Sequence, residues 1–325
     1  MFSGPHGGSS SRNVIPALTA GAVRTVFRPL RPTGLQLRVI RAAADSVGAV
    51  RNPRGARVEP VRIGSMTGTW VSATGNGSRT LTGAVLYLHG GGFVLGSSRS
   101  HFGLVKRLSA ASGMPVLVPD YRLAPEAGFP VALDDALAAY RCLIAEGYSP
   151  DRIRLAGDSA GGYLVAALLA ELRRQQLPVP AGALLMSPLL DLDIARAERT
   201  RDPVIPLAFG NECISAFLGE TAASDPRVDV LAADKRGWPP VLIQVGSTEC
   251  LLPEAKAMAD SLTAAGVPCE LQIWPGQVHV FQVMARVLPV ARIALTQGGA
   301  FLRTTVGTAQ SSIVERDARP GRNIA

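Results

Sequence analysis

Residues 152–172 read RIRLAGDSAGGYLVAALLAEL. The apolar run 152–157 predicts a short buried strand and 160–176 an amphipathic helix, so Gly157-Asp158-Ser159-Ala160-Gly161 falls on the turn between them. A serine in such a G-x-S-x-G turn sits on a tight, strained bend that exposes its hydroxyl at the sheet edge. Only small residues two before and two after it let the strand and helix backbones approach. The hydroxyl then lies at a helix N-terminus, whose positive end favours developing negative charge. An ordinary βα turn with a Gly-rich helix start would share the five letters. The strand on one side and helix on the other favour Ser159 as a nucleophile.

Outward from this turn the same rhythm repeats. Apolar runs at 84–88, 115–119, 182–187, 241–246 and 270–274 alternate with amphipathic segments at 101–112, 132–146, 254–266 and 286–303. Continuous apolar strands separated by helices predict a parallel sheet covered on both faces, the α/β class. Right-handed crossovers make it doubly wound, with ligands at the carboxyl ends of the strands. Before it, 57–63 and 66–73 read as a β-hairpin. The expected core is 57–189 plus 237–303. Residues 190–236 break the rhythm with Asp, Arg and Pro, and with the short helices expected in 14–50 they form a helical cap. The Gly/Ser-rich leader 1–12 and the tail 304–325 are expected to be disordered.

Two further signals lie at the same sheet edge. Strand 84–88 runs into His89-Gly90-Gly91-Gly92-Phe93. Consecutive glycines expose backbone N–H groups with no Cβ in the way, so Gly91 and Gly92, with Ala160 beside the nucleophile, are candidate donors to an oxyanion. A phosphate loop is excluded, since no Lys-Ser/Thr follows and no G-x-G-x-x-G spacing is present. A serine nucleophile needs a base, and the chain has four histidines. His6 lies in the leader, His89 braces the glycine loop, and His101 begins a helix with a capping or surface role. His279, after strand 270–274, remains. The acid that orients it is read as Glu249, just past strand 241–246, giving the chain order Ser, Glu, His. Asp191 and Asp193, one strand earlier, are the alternative.

Composition excludes other classes. Of 325 residues 47% are hydrophobic and 18% charged, which rules out global disorder. Net charge is +8, but the arginines are scattered, lysines number only Lys106, Lys235 and Lys256, and no basic element carries interleaved aromatics. A solvated arginine surface, with no nucleic-acid partner, is the reading. No stretch of 18 apolar residues suggests a transmembrane segment. The run Val14–Val23 contains Pro16 and leads into Arg24, a poor signal peptide. Cys142, Cys213, Cys250 and Cys269 are spaced for neither metal nor a disulfide framework. A reducing, cytoplasmic location follows, with no metal and no cofactor expected.

HGGGF, DYRLAPE (Asp120 to Glu126), FPVALDDALAAY (Phe129 to Tyr140), GDSAGG and WPGQVHVF, in this order, strongly resemble the hormone-sensitive-lipase-like branch of the α/β-hydrolases, the bacterial family IV esterases. The match runs from about residue 57 to 300. The resemblance implies an eight-stranded sheet, a helical cap and hydrolysis of short-acyl carboxylic esters. It places Ser159 and His279 in the roles reached above, with Gly91, Gly92 and Ala160 at the oxyanion. Where the family usually has Asp in a D-P-L motif, this chain reads Glu249-Cys250-Leu251. DYRLAPE is expected to be structural, its charges holding the active-site loops. The expected partner is a small-molecule ester, with a homodimer left open. The alternatives are an amidase or N- or O-deacetylase with the same triad, or a non-catalytic binding protein on the same scaffold.

Overall fold

A computed structural model describes residues 34–49, 55–74, 83–197, 199 and 202–305. Its centre is an eight-stranded sheet in the order β1-β2-β4-β3-β5-β6-β7-β8. The strands are β1 Ala56–Ile63, β2 Met66–Ala73, β3 Ala84–Leu88, β4 Val116–Pro119, β5 Ile153–Asp158, β6 Gly182–Met186, β7 Val241–Gly246 and β8 Cys269–Trp274. β2 runs antiparallel to both β1 and β4, and the other neighbouring pairs are parallel. The expected hairpin and all six expected apolar strands are present.

Period-2 alternation explains why the central strands are apolar throughout. In β3, Ala84, Leu86 and Leu88 face one hydrophobic core, while Val85 and Tyr87 face the other. Helices α3 Val131–Ala145, α4 Ala160–Arg174 and α6 Leu252–Ala264 cover the first face. Helices α2 Phe102–Ser112 and α7 Pro289–Thr304 cover the second. A Leu86→Ala cavity in the first core would cost roughly 2–5 kcal/mol. The chain therefore reaches the carboxyl edge of the sheet each time a strand ends.

Two segments depart from the regular pattern. Of the helices expected in 14–50, the described residues hold one, α1 Gly34–Ala49, and the rest of that segment lies outside them. Between β6 and β7 the chain contributes α5 Leu207–Leu218, preceded and followed by turns. The leader 1–12 lies outside the described residues, as does most of the tail. Thr304 and Thr305, expected in that tail, are instead part of the fold. α7 runs to Thr304, and buried Thr305 accepts a hydrogen bond from the Arg154 guanidinium through its carbonyl. Sequence pattern gives no hint of this anchor, because Arg154 lies on a strand 151 positions away.

Candidate active site

The turn between β5 and α4 is strained at one residue. Ser159 has φ 51° and ψ −120°, a conformation costly for any residue with a side chain. Its neighbours are small for a steric reason. A Cβ on Gly157 would stand 2.4 Å from the Gly161 carbonyl oxygen, and one on Gly161 2.0 Å from that of Leu88. Three hydrogen bonds hold the bend. Ser159 N–H donates to the Met186 carbonyl at 2.9 Å, and the Ser159 carbonyl accepts from Tyr163 and Leu189 N–H, both at 3.1 Å.

The residues expected to work together are together. His279, in the loop after β8, has Nε2 2.9 Å from Ser159 Oγ and Nδ1 2.9 Å from Glu249 Oε2. Glu249, just after β7, keeps its other oxygen occupied: Oε1 accepts from the Ser187 hydroxyl at 2.7 Å and from Gly246 N–H at 2.5 Å. Burial disfavours an imidazolium, but the Glu249 hydrogen bond and charge outweigh it and carry the His279 pKa above its ordinary 6.5. Asp191 and Asp193 do not reach the imidazole. Asp191 binds the Arg196 guanidinium through both oxygens, and Asp193 caps the turn at Ala195 and Arg196.

The glycine loop is braced from behind. Gly91 takes φ 118°, and its carbonyl accepts from Val94 and Leu95 N–H at 3.2 and 2.9 Å. The N–H groups of Gly91 and Gly92 have no protein acceptor among the described residues. Ala160 opens α4, where the first N–H groups lack intrahelical partners. Gly90 N–H donates to Asp158 Oδ1 at 3.0 Å, and the Tyr87 hydroxyl donates to the same oxygen at 2.5 Å. His101 Nε2 lies 3.5 Å from Asp158 Oδ2. Burial alone would raise the Asp158 carboxyl, yet His101 and the Tyr87 hydroxyl hold it below an ordinary aspartate. Burial also opposes charge on His101, and Asp158 reverses that, raising the His101 pKa. The expectation of a capping or surface role for His101 is thus corrected: it makes no side-chain cap bond and points inward at Asp158. His89 does brace the loop. It stacks on Tyr121 at 4.2 Å and on His101 at 5.4 Å, and burial with the neighbouring His101 pushes its pKa down to about 3.

DYRLAPE holds loops, as its charges suggest. Asp120 accepts from Ser98 N–H at 2.8 Å, Tyr121 donates to the His89 carbonyl at 2.6 Å, and Glu126 takes a two-pronged bond from Arg41 on α1. Three partners were missed by sequence reasoning. Ser187 donates to Glu249 and accepts from Val280 N–H at 3.1 Å. Asp202, 1% exposed, accepts from Cys250, Val204 and Ile205 N–H and so ties the β6–β7 segment to the loop of Glu249. Asp158 carried the motif but no assigned role. No local signal marks Ser187, whose partners are distant in sequence, and the short-range bonds of Asp202 to Val204 and Ile205 give no hint of its link to Cys250.

Ser159, Gly91, Gly92 and His279 open onto one cavity of about 220 Å³. Leu189, Ile205, Leu207, Phe209 and Ile214, all between β6 and β7, give it an apolar wall. A hydroxyl, an imidazole and a carboxylate in series, facing free N–H groups in an apolar cavity, can attack a carbonyl and hold the resulting oxyanion. A family model described as alpha/beta hydrolase fold matches residues 85–283. The chain belongs to the α/β-hydrolases. Within them it is a hormone-sensitive-lipase-like, family IV carboxylesterase. An acetyl-hydrolase of Streptomyces hygroscopicus is 39% identical over 269 residues, covering 82% of this chain and 88% of its own length. The carboxylesterase/phospholipase LipF of Mycobacterium tuberculosis is 36% identical over 327 residues, covering 94% of this chain and 86% of its own. The crystal structure of an esterase from the bacterial hormone-sensitive lipase family superposes with a TM-score of 0.82 at 34% identity, covering 92% of this hydrolase and 100% of that chain.

Proposed function

We propose that this hydrolase cleaves short-acyl carboxylic esters through Ser159, His279 and Glu249 with an acyl-serine intermediate. The unbroken hydrogen-bond series from Ser159 Oγ through the imidazole to Glu249 carries this reading. Ser159 Oγ attacks the ester carbonyl while His279 Nε2 takes its proton. The oxyanion rests on the N–H groups of Gly91, Gly92 and Ala160. The C–O bond to the alcohol breaks as His279 returns the proton to it, leaving the acyl group on Ser159. Water then attacks that acyl group, again deprotonated by His279, and the acid departs with the serine restored. Glu249 fixes the tautomer with Nδ1 protonated and stabilises the imidazolium. No cofactor is needed.

The short-acyl preference is supported by the size of the cavity, about 220 Å³, shared between acyl and alcohol portions of the substrate. It accords with the acetyl-hydrolase name of one relative and with p-nitrophenyl butyrate having been soaked into the esterase EstE5, 36% identical to this chain. Of the expected cap, 14–50 and 190–236, the second segment bounds the acyl site, since α5 and its flanks supply most of the apolar wall, while no described residue of 14–50 lines the cavity. A cytoplasmic location accords with four free thiols, while among the described residues no helix is long and apolar enough to cross a membrane. A series of p-nitrophenyl esters from acetate to palmitate, with a matched anilide, tests the proposal. kcat/KM should fall with acyl length, and the anilide should be turned over far more slowly. A preference for palmitate, or equal rates on ester and anilide, would overturn it.

A further inference from the structure

The +8 charge of this chain is not evenly spread. Residues 60–119 and 271–314 together hold eight Lys and Arg and no Asp or Glu, an excess equal to that of the whole chain. Within their described residues the fold packs the two stretches together, because α2 lies along α7 and also meets the 3₁₀ turn Phe281–Met284. Arg107 at the middle of α2 thereby comes near Arg286, between that turn and α7, and Arg292 in the first turn of α7. Burial, then the charges of Arg292 and Arg286, hold the Arg107 guanidinium below its ordinary value. None of the three pairs with a carboxylate among the described residues. Arg107 bonds the Gly103 carbonyl at 2.8 Å, and Arg292 bonds those of Ala285 and Arg286 at 3.2 and 3.4 Å.

Large apolar side chains project among these charges. Val283 and Val287 are 53% and 57% exposed, and Ile293 beside Arg292 is 52% exposed. Val283 also lines the active-site cavity, so the patch begins at the cavity mouth. Unneutralised guanidiniums interleaved with exposed valines and isoleucine match a surface with negative charge above and hydrocarbon below. A site for a small soluble anion would need the charges alone. We infer that the rim formed by Arg107, Arg286, Val287, Arg292 and Ile293 docks on an anionic phospholipid surface, with the cavity mouth at Val283 facing the lipid. Docking there would bring the cavity to the layer where apolar esters partition, whatever the acyl length the triad accepts.

The test is binding, so it does not depend on the catalytic reading. The full chain is sedimented with vesicles of phosphatidylcholine alone and of phosphatidylcholine with roughly one third phosphatidylglycerol, at low salt and at about 0.5 M salt. Wild type should prefer the anionic vesicles, and salt should weaken the binding. At about fivefold per guanidinium, R107Q/R286Q should lower the partition roughly 30-fold. R62Q/R141Q, which removes the same charge from β1 and α3, should lower it less than about threefold. Val287→Ser should lower it about fourfold through lost apolar contact. All variants should keep wild-type turnover of water-soluble p-nitrophenyl acetate and wild-type melting, which establishes that they fold. No preference for anionic vesicles overturns the inference, as does equal loss in both double variants. Loss in R107Q/R286Q with no effect of Val287→Ser overturns it in favour of a purely electrostatic partner, such as an acidic protein.

Discussion

Replacing Glu249 by Gln tests the acid through its hydrogen bonds. Glu249 Oε1 sits between the Ser187 hydroxyl and Gly246 N–H, and Oε2 faces His279 Nδ1. The Gly246 N–H is fixed by the backbone and cannot accept, and Ser187 Oγ already accepts from Val280 N–H. A glutamine must therefore turn its carbonyl oxygen toward these two donors, which leaves its NH₂ against Nδ1. Nδ1 then has to be the bare nitrogen, and the proton moves to Nε2. That proton points at Ser159 Oγ, so the imidazole can no longer accept the serine proton. The same loss of tautomer control in a serine protease costs roughly 10⁴ in kcat, about 5 kcal/mol of transition-state stabilisation. KM should change by less than about threefold, because the cavity wall is untouched. Steady-state hydrolysis of p-nitrophenyl acetate measures both, with circular dichroism establishing that the variant folds. A second signature follows from charge. With the carboxylate gone, only the charges of Asp202 and Asp158 still oppose desolvation of the imidazolium, and the His279 pKa should fall from its raised wild-type position. Glu249→Asp should recover part of the rate. A drop in kcat of less than about tenfold for Glu249→Gln, with a large drop for Asp191→Asn, would refute the reasoning.

Ser159→Ala should abolish turnover and labelling by a fluorophosphonate while leaving the melting temperature near wild type. The raised pKa of His279 places the acid limb of kcat/KM above pH 6.5, with activity rising as the imidazole loses its proton; a limb below 6 in the free enzyme would contradict the assigned contacts. Ser187→Ala leaves Val280 N–H without its acceptor and Glu249 with one donor fewer, so unfolding should show a loss of roughly 1–3 kcal/mol with kcat lowered more than KM is raised. Gly161→Ala should prevent folding of the elbow, since the Leu88 carbonyl it would strike is backbone, and soluble protein with wild-type turnover would count against the close approach.

The fold was legible because its signals are local. Each central strand is a continuous apolar run, and each helix between them carries its own period, so both could be read within ten to twenty residues. The anchoring of Thr305 was not legible. Thr305 is held by Arg154 and lies against Gly182, whose Cβ would stand 2.8 Å from the threonine side chain. Those contacts span more than a hundred positions, and nothing in the letters RTTVG announces them. The same contrast runs through the site. The proximity of Ser159, His279 and the glycine loop was legible because strand ends place them, and that of Glu249 because chain order does. His101 was misread because its partner, Asp158, lies at the end of the second strand after it, beyond β4 and α3.

Strain adds a further reason why the supporting residues escaped a reading by letters. Among the described residues five non-glycine positions take positive φ: Phe93, Ser159, Gln176, Ser187 and Val280. Four of them belong to the site. Phe93 follows the glycine loop, Ser159 is the proposed nucleophile, Ser187 donates to Glu249, and Val280 follows His279 and donates to Ser187. A β-branched valine at φ 45° is among the residues least suited to that conformation, so propensity argues against it. The bend persists because it turns the Val280 N–H onto Ser187 Oγ, and that bond fixes the backbone from which His279 projects. One hydroxyl thereby sets both members of the Glu249–His279 pair, the acid through its donated proton and the histidine backbone through the one it accepts. Strain at Val280 and order at His279 are two ends of the same arrangement. Removing the Ser187 hydroxyl should loosen both at once, whereas a change at Glu249 alone should leave the bend in place.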